Sequence, residues 1–291
     1  MHALLLAITV SSAVLGNSFK NIFSKHTLKT QSDTLSFNLF NNAVALLVIA
    51  LFGGLGRVSG FTILVAIGMG VMNLLAGYFF TLTLTCGPMA LSTLVQLSLS
   101  LLISALWGPV FWHESIALKQ GIGIIMILLS MTLISNARVE GNISFKWLFL
   151  CFLAGLSNST LGLFQKILTM SAYASEQMGF LFYAFIVSTV VNALWLIGRT
   201  RVKKEAVTCT YKGMTLVSAV VCGLSMAAQH IINLYLVGEL PTVVFFPICT
   251  GLRILLIALV GIVIFKEKLS KRQLIGFIIG FSALFLVAGV I

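Results

Sequence analysis

The chain is poor in charged side chains, above all in acidic ones. Of its 291 residues, 7 are Asp or Glu and 18 are Lys or Arg, so charged residues make up only 9%. In a typical soluble domain about a quarter of the residues are charged. The shortage excludes a water-facing exterior, and a hydrophobic content of 59% with a mean hydropathy of +1.10 indicates a surface that faces lipid. We therefore expect an all-α integral membrane protein surrounded by the lipid bilayer.

The net charge of +11 does not indicate a nucleic-acid partner. Membrane proteins collect Lys and Arg in their cytoplasmic loops, which makes the whole chain basic. No basic patch interleaved with exposed aromatic residues occurs in the sequence, so we expect no binding of nucleic acid.

The sequence also lacks the residue sets that catalysis and metal binding require. No His, Asp or Glu cluster has the spacing of metal ligands, and neither a Walker-type glycine loop nor a G-x-S-x-G elbow is present. The cysteines form no Cys-x-x-Cys pair and serve as small hydrophobic residues; they are Cys86, Cys151, Cys209, Cys222 and Cys249. We therefore expect no enzyme, no metal and no cofactor.

Ten apolar segments, each about 18 to 25 residues long, could cross a bilayer. They cover residues 3–23, 34–52, 61–84, 89–111, 118–135, 146–168, 177–197, 213–237, 242–265 and 272–290. The first could be mistaken for a signal peptide, but it lacks a basic beginning and its continuation recurs later in the chain. We expect it to be a retained helix.

Two stretches of the chain share one layout, which indicates a duplication. Pro88 precedes Glu114 by the same 26 residues that separate Pro241 from Glu267, and a shift of 153 also superposes Gln120 and Gly123 on Gln273 and Gly276. The pattern N-S-x-x-x-x-F-x-K occurs in both the first and the sixth segment. The sequence thus predicts two five-helix repeats, residues 1–136 and 145–291. Because five is odd, the second repeat must enter the membrane inverted relative to the first.

The distribution of basic residues predicts an orientation in the membrane. By these segments, 13 of the 18 Lys and Arg lie on one side and 3 lie on the other, namely Arg57, Lys119 and Lys166. Lys20 and Arg253 fall within segments. The positive-inside rule then places both termini outside the cell. We expect a multi-pass protein of the plasma (cell inner) membrane.

Arg253 lies almost at the centre of the ninth segment. A charge at the bilayer centre costs about 2.5–3.5 kcal/mol on insertion scales, so it usually faces a cavity or a partner. We expect no acid at this depth, because all seven fall at helix ends or in loops: Asp33, Glu114, Glu140, Glu176, Glu205, Glu239 and Glu267. Arg253 either bonds helix-end carbonyls for structure or contacts an anionic part of a substrate. Its counterpart in the first repeat is Ser100.

The eighth segment carries a polar stripe. Ser225, Gln229 and Asn233 are spaced four apart and share one helix face, with His230 at its edge. The matching positions of the first repeat are apolar or small, which favours an asymmetric binding site, although hydrogen bonds between helices would explain the stripe equally. His230 could also carry a proton. The candidate substrate-binding residues are Arg253, Gln229, His230, Asn233, Asn17, Asn158, Gln96 and Ser100.

The paired E-x-x-x-x-x-Q-x-x-G segments that begin at Glu114 and Glu267, together with Pro88 and Pro241, resemble the drug/metabolite transporter superfamily in its EamA-type ten-helix branch. The resemblance implies a 5+5 inverted repeat with a central cavity lined by helices 1–4 and 6–9. It also implies that helices 5 and 10 pack peripherally and that small metabolites or drugs move by alternating access.

The chain departs from that family at two places. Members often carry glycine before the glutamate, where this chain has His113 and Lys266, and proline near the middle of helices 4 and 9, where it has Ser100 and Arg253. The small four-helix relatives export cations with a first-helix glutamate. Here Asn17 lies in that region, which argues against a cationic-drug exporter.

These features together predict a secondary active transporter, or permease, for a small polar, anionic or zwitterionic metabolite such as an amino acid. Arg253 would bind a carboxylate or phosphate, and the amides would supply hydrogen bonds. A lipid-handling flippase or a non-transporting membrane subunit is the alternative, and an intramembrane enzyme is disfavoured because no nucleophile–base pair is visible. We expect a monomer or a homodimer.

Overall fold

The apolar segments form helices, in which each backbone N–H and C=O group is satisfied within its own segment. The computed structural model describes residues 2–27, 30–86, 89–134, 144–202, 204–263 and 270–288, and these residues contain no strand. The helices are α1 (His2–Thr27), α2 (Gln31–Ile49), α3 (Gly60–Cys86), α4 (Met89–Trp112), α5 (Leu118–Ile134), α6 (Phe145–Thr169), α7 (Gln177–Val202), α8 (Met214–Glu239), α9 (Thr242–Val263) and α10 (Lys271–Ala288). A π-helical turn, Ala50–Gly54, extends α2, and a 3₁₀ turn, Ala174–Glu176, precedes α7.

Six helical stretches are long and apolar enough to cross a membrane: Gln31–Gly54, Gly60–Phe80, Val95–Trp112, Phe145–Thr169, Ala174–Val202 and Met214–Glu239. Three shorter apolar helical stretches, His2–Gly16, Leu118–Leu133 and Thr242–Arg253, were also found among the described residues. The all-α class is thereby confirmed, and the helices are compatible with a membrane protein. The number of membrane crossings and the repeat remain predictions.

The chain divides into two compact units that interleave along the sequence. The first unit comprises Met1–Gly77 and Phe164–Gly238, and the second comprises Tyr78–Leu163 and Glu239–Ile291. Each unit takes segments from both predicted repeats, 1–136 and 145–291. The units therefore describe packing, and the predicted repeat boundaries stay a prediction.

Glycines hold the helices of the first unit in close contact. A methyl group on Gly70 of α3 would lie 2.5 Å from the carbonyl oxygen of Ala184 on α7. One on Gly223 of α8 would lie 3.0 Å from the carbonyl oxygen of Asn41 on α2. Small residues permit such approach where lipid removes the hydrophobic drive for helices to associate.

The second unit is built around a core shared by α4, α5, α9 and α10. Leu101, Ile127, Leu255 and Leu284 are buried in one cluster, to which each of the four helices contributes one of them. The glycines Gly276 and Gly280 of α10 pack on α5, where Ser130 Oγ donates to the carbonyl oxygen of Gly276 at 2.7 Å.

Gly123 of α5 makes a corresponding contact with α10. A methyl group on it would lie 3.1 Å from the carbonyl oxygen of Ala283. A capping box begins α10, since Ser270 N donates to Gln273 Oε1 at 2.9 Å and Gln273 N donates to Ser270 Oγ at 3.3 Å.

Asp33 anchors the connection between α7 and α8 to the start of α2. It is fully buried, and its oxygens accept from Thr208 N at 2.6 Å, Thr208 Oγ1 at 2.8 Å and Cys209 N at 2.9 Å. It also closes a capping box with Thr30 at the start of α2. The acid thus satisfies the first amides of a helix and holds a segment 175 residues away.

Glu205, in the same connection between α7 and α8, also bonds to the start of α2. Its Oε1 accepts from Gln31 N at 3.0 Å, and its Oε2 accepts from Arg199 Nη2 at 2.6 Å. The hydrogen bonds from the Arg199 guanidinium hold the pKa of the Glu205 carboxyl below its usual value of 4.5.

Glu176 and Glu114 tie two further helix starts in the same way. Glu176, just before α7, accepts from Ser59 N at 2.9 Å and from the Thr62 hydroxyl, at the start of α3. Glu114 follows α4 and accepts from Thr242 Oγ1 at 2.6 Å, at the start of α9. Carboxylates are favoured at these positive helix ends. The prediction that the acids lie at helix ends or in loops holds for these residues.

Candidate functional site

Arg253 lies near the middle of α9 and is partly buried. Its Nε atom has no contact with solvent and no hydrogen-bond partner among the described residues. An unpaired buried donor costs about 1–3 kcal/mol, and more when the group is charged. Such an atom calls for an explanation, and a ligand that accepts from it is one.

Three further predicted site residues meet where α6 approaches α4 in the second unit. Asn158 Nδ2 donates to Ser100 Oγ at 2.9 Å, and Ser100 is 8% exposed. Gly155 permits the approach, because a methyl group there would lie 3.2 Å from the carbonyl oxygen of Gln96 and 3.3 Å from Ser100 N. Gln96 lies one turn before Ser100 on the same face of α4. The structure thus brings Asn158 and Ser100 into contact and places Gln96 beside them.

The stripe on α8 belongs to the first unit and is only partly satisfied. Gln229 Nε2 and Asn233 Oδ1 are buried without a hydrogen-bond partner among the described residues. His230 is 9% exposed, and its Nδ1 lies 3.3 Å from Gln165 Nε2 of α6. The ring of Phe185 meets the imidazole edge-on at 5.3 Å between centroids. The face predicted to be polar therefore contains amide groups that a polar solute could satisfy.

The remaining predicted residue, Asn17, lies in α1, but its side chain falls outside the described residues. Of the predicted set, Gln96, Ser100, Asn158 and Arg253 lie in the second unit, and the stripe residues and Asn17 lie in the first. Among the residues that the structure describes, no group of three or more His, Cys, Asp or Glu is placed to hold a metal ion.

Two buried polar residues of α6 were not among the predicted site residues. Gln165 is 3% exposed and contacts His230, and Lys166 is 4% exposed. The predicted segment 146–168 agrees with α6, and Lys166, which the count of basic residues placed on one side of the membrane, is buried near the end of that helix. A signal was present, since Lys166 ends the recurring N-S-x-x-x-x-F-x-K pattern.

Comparison with known proteins supports the fold and leaves the family open. No family model and no curated protein matches the chain. Twenty-eight chains of solved structures do match. One of them, described only as "Crystal structure of protein", superposes with a TM-score of 0.77 over 99% of each chain, at 12% sequence identity. At that identity the likeness shows the fold alone.

The described residues are all-helical, and six of their helical stretches are long and apolar enough for a membrane protein. These long apolar helices contain buried polar side chains, and several polar atoms of those side chains lack hydrogen-bond partners among the described residues. Polar groups of this kind inside apolar helices usually face a cavity or pair with one another.

Proposed function

We propose that the chain is a ten-helix secondary transporter of the plasma membrane that moves a small polar, anionic or zwitterionic metabolite, such as an amino acid, by alternating access. The unpartnered Nε of Arg253 near the middle of α9 carries this proposal. A guanidinium matches a carboxylate or phosphate through two parallel hydrogen bonds, and it stays charged at any physiological pH.

Reciprocal contacts in the first unit support the proposed duplication. Gly70 of α3 packs on the carbonyl of Ala184 in α7, and Gly223 of α8 packs on the carbonyl of Asn41 in α2. The offset of 153 residues carries Gly70 to Gly223, and an offset of 143 carries Asn41 to Ala184. With α2 aligned to α7 at this second offset, exchanging the two halves of the sequence exchanges these two contacts.

The second unit shows the same reciprocity. Ser130 of α5 bonds the carbonyl of Gly276 in α10, and Gly123 of α5 packs on the carbonyl of Ala283 in α10. The offset of 153 carries Gly123 to Gly276 and Ser130 to Ala283. Contacts that exchange in this way are what an approximate two-fold axis produces. With five helices in each half, such an axis lies in the membrane plane, as in the inverted repeats of many transporters.

In the proposed mechanism, Arg253 binds the anionic group of the substrate in the second unit, while Asn158 and Gln96 provide hydrogen bonds. Separately, the unpartnered amide atoms of Gln229 and Asn233 mark a polar face within the first unit, with His230 beside them. The amide groups carry no charge, whereas Arg253 is positively charged. An anionic or zwitterionic solute is therefore favoured over a cation.

A binding screen with three variants tests this function. The purified protein is melted in detergent with each common amino acid, short dicarboxylates and phosphate esters, and a hit is then followed by radiolabelled counterflow in proteoliposomes. We expect Arg253→Ala to weaken binding by roughly 100-fold, the cost of about 3 kcal/mol for a lost charged hydrogen-bond pair. Arg253→Lys should recover part of it.

Arg272→Ala is the matched control. Arg272 is exposed and donates to the carbonyl oxygen of Thr132 at 2.7 Å, so its loss should leave binding unchanged. Transport by a folded Arg253→Ala protein at the wild-type rate would refute the proposed role. Hits confined to lipids would favour the flippase alternative. A tag at the C terminus that becomes accessible only after permeabilisation would overturn the proposed orientation.

A further inference from the structure

Amide groups from two helices converge on one hydroxyl in the first unit. Asn42 Nδ2 of α2 and Asn73 Nδ2 of α3 both donate to Ser188 Oγ of α7, at 3.0 and 3.1 Å. Ser188 is fully buried, and Asn42 is 4% exposed. Three helices are thus joined through one oxygen, at a place that the proposed function does not use.

A second layer of amides lies one helical turn away. Asn192 follows Ser188 by four residues and shares its face of α7. Helix α7 runs antiparallel to α2, because Phe182 lies against Gly54 at the end of α2 while Glu205 bonds the α2 start. Ser188 lies at the level of Asn42 on α2. Because the two helices run antiparallel, Asn192 lies one turn further along α7, at the level of Asn38.

The second layer contains an oxygen without a partner among the described residues and a glycine whose missing side chain leaves room for about one methyl group. Asn192 is 1% exposed, and its Oδ1 has no hydrogen-bond partner among the described residues. On α3, a methyl group at Gly77 would come within 4 Å of Asn38 Nδ2 alone among those residues, at 3.4 Å. The absence of a side chain at Gly77 leaves room beside the amides.

The chemistry of these groups selects a ligand class. A buried oxygen without a partner needs a hydrogen-bond donor or a cation, and amide and hydroxyl oxygens are ligands of hard cations. A rotated amide presents Oδ1 where Nδ2 stood, so the same side chains can turn their oxygens to an ion. The carboxylates in the described part of the first unit, Asp33, Glu176 and Glu205, are engaged at helix ends. A site with neutral ligands suits a monovalent ion, whereas divalent ions generally require carboxylates.

We propose that Asn38, Asn42, Asn73, Ser188 and Asn192, which we call the amide chamber, bind an alkali-metal cation. Binding of the cation by the amide chamber does not depend on the proposed transport function. A role of the bound cation in coupling to transport rests on that function. Coupling ions in several transporters bind neutral backbone oxygens in a comparable manner.

The test measures the melting midpoint of the purified protein at constant ionic strength, while choline chloride is replaced by NaCl or by KCl. We expect one alkali chloride or both to raise the midpoint saturably by about 2 °C or more over choline. Asn192→Ala should raise the half-saturating concentration by about tenfold or more. The matched control is Asn41→Ala, which should leave it unchanged. Asn41 is 7% exposed with an unpartnered Oδ1, but its backbone faces Gly223 of α8.

Two results would overturn the site: equal midpoints in all three salts, or equal loss of the response in Asn41→Ala and Asn192→Ala. If Asn192→Ala does not fold, Asn192→Asp keeps an oxygen and adds a charge, and it should lower the half-saturating concentration. An unchanged concentration in that variant would also reject the proposal. Loss of metabolite counterflow with intact cation binding would count against the transport function and leave the site standing.

Discussion

Replacing Gly70 with alanine tests the closest helix contact described in the first unit. The added methyl group would lie 2.5 Å from the carbonyl oxygen of Ala184 and 2.8 Å from Cβ of Val187. Neither atom can rotate away, because one belongs to the backbone and the other is fixed to it. Helices α3 and α7 would therefore have to separate locally by about 0.5 Å to bring the nearest contact to 3.0 Å.

The size of the effect follows from a comparison with Gly198 in α7. A methyl group at Gly198 meets nothing within 4 Å, so Gly198→Ala gains helix propensity without a clash. Gly70→Ala gains the same propensity and adds an overpacking cost of about 1–3 kcal/mol. At about 2–4 °C per kcal/mol for a chain of this length, the two variants should differ by roughly 5 °C in melting midpoint.

Thermal unfolding in detergent, followed by tryptophan fluorescence or by size-exclusion recovery, provides the assay. Gly223→Ala should fall on the same side as Gly70→Ala, since its methyl group would lie 2.6 Å from Cβ of Val44. If Gly70→Ala melts as high as Gly198→Ala, α3 and α7 are not in the described contact. The reciprocal relation between the halves would then lose one of its pairs.

Two further predictions concern the carboxylates at the start of α2. Asp33→Ala should destabilise the protein by about 3 kcal/mol or more, because several amides at the start of α2 and in the connection between α7 and α8 lose their acceptor. The control is Glu239→Gln at the exposed end of α8, which should shift the melting midpoint by less than about 1 °C. Equal melting midpoints for the two variants would contradict the predicted role of Asp33. The lowered pKa of Glu205 means that its contribution to stability is present above pH 4.5 and is lost as the pH falls below that value through the folded pKa. The protection factor for hydrogen exchange of the Gln31 amide should therefore fall below pH 4.5, and in Glu205→Ala it should be low at every pH, because that variant lacks the oxygen that accepts from Gln31 N.

Much of the helical architecture could be predicted from the sequence. The predicted segment 177–197 begins where α7 begins, at Gln177, and the predicted segment 213–237 lies within one or two residues of α8, Met214–Glu239. Apolar runs set these limits because a helix continues while its side chains suit lipid and ends where polar groups can meet water. The capping box of α10 is also a local pattern, the S-x-x-Q of Ser270 to Gln273, so the sequence alone indicates it.

Contacts between distant segments could not be predicted. Asp33 was expected at a helix end, but its bonds to Thr208 and Cys209 join residues 175 and 176 positions apart, and no local pattern encodes such partners. The burial of Lys166 could not be predicted either, because burial near the end of a helix depends on the neighbours that pack there. The contact of Asn158 with Ser100 likewise depends on the approach of α6 to α4 at Gly155.

Under the proposed duplication, one half of the chain predicts the behaviour of the other. Tolerance to substitution measured along α3 should recur along α8 at positions 153 residues later, wherever a side chain only fills space. Ala76 and Phe80 align with Gln229 and Asn233 at that offset. If a mutational scan gives matching tolerance at the other aligned positions and different tolerance at these two, Gln229 and Asn233 are retained for reasons other than packing. These differences in tolerance between aligned positions could be measured before any solute is identified.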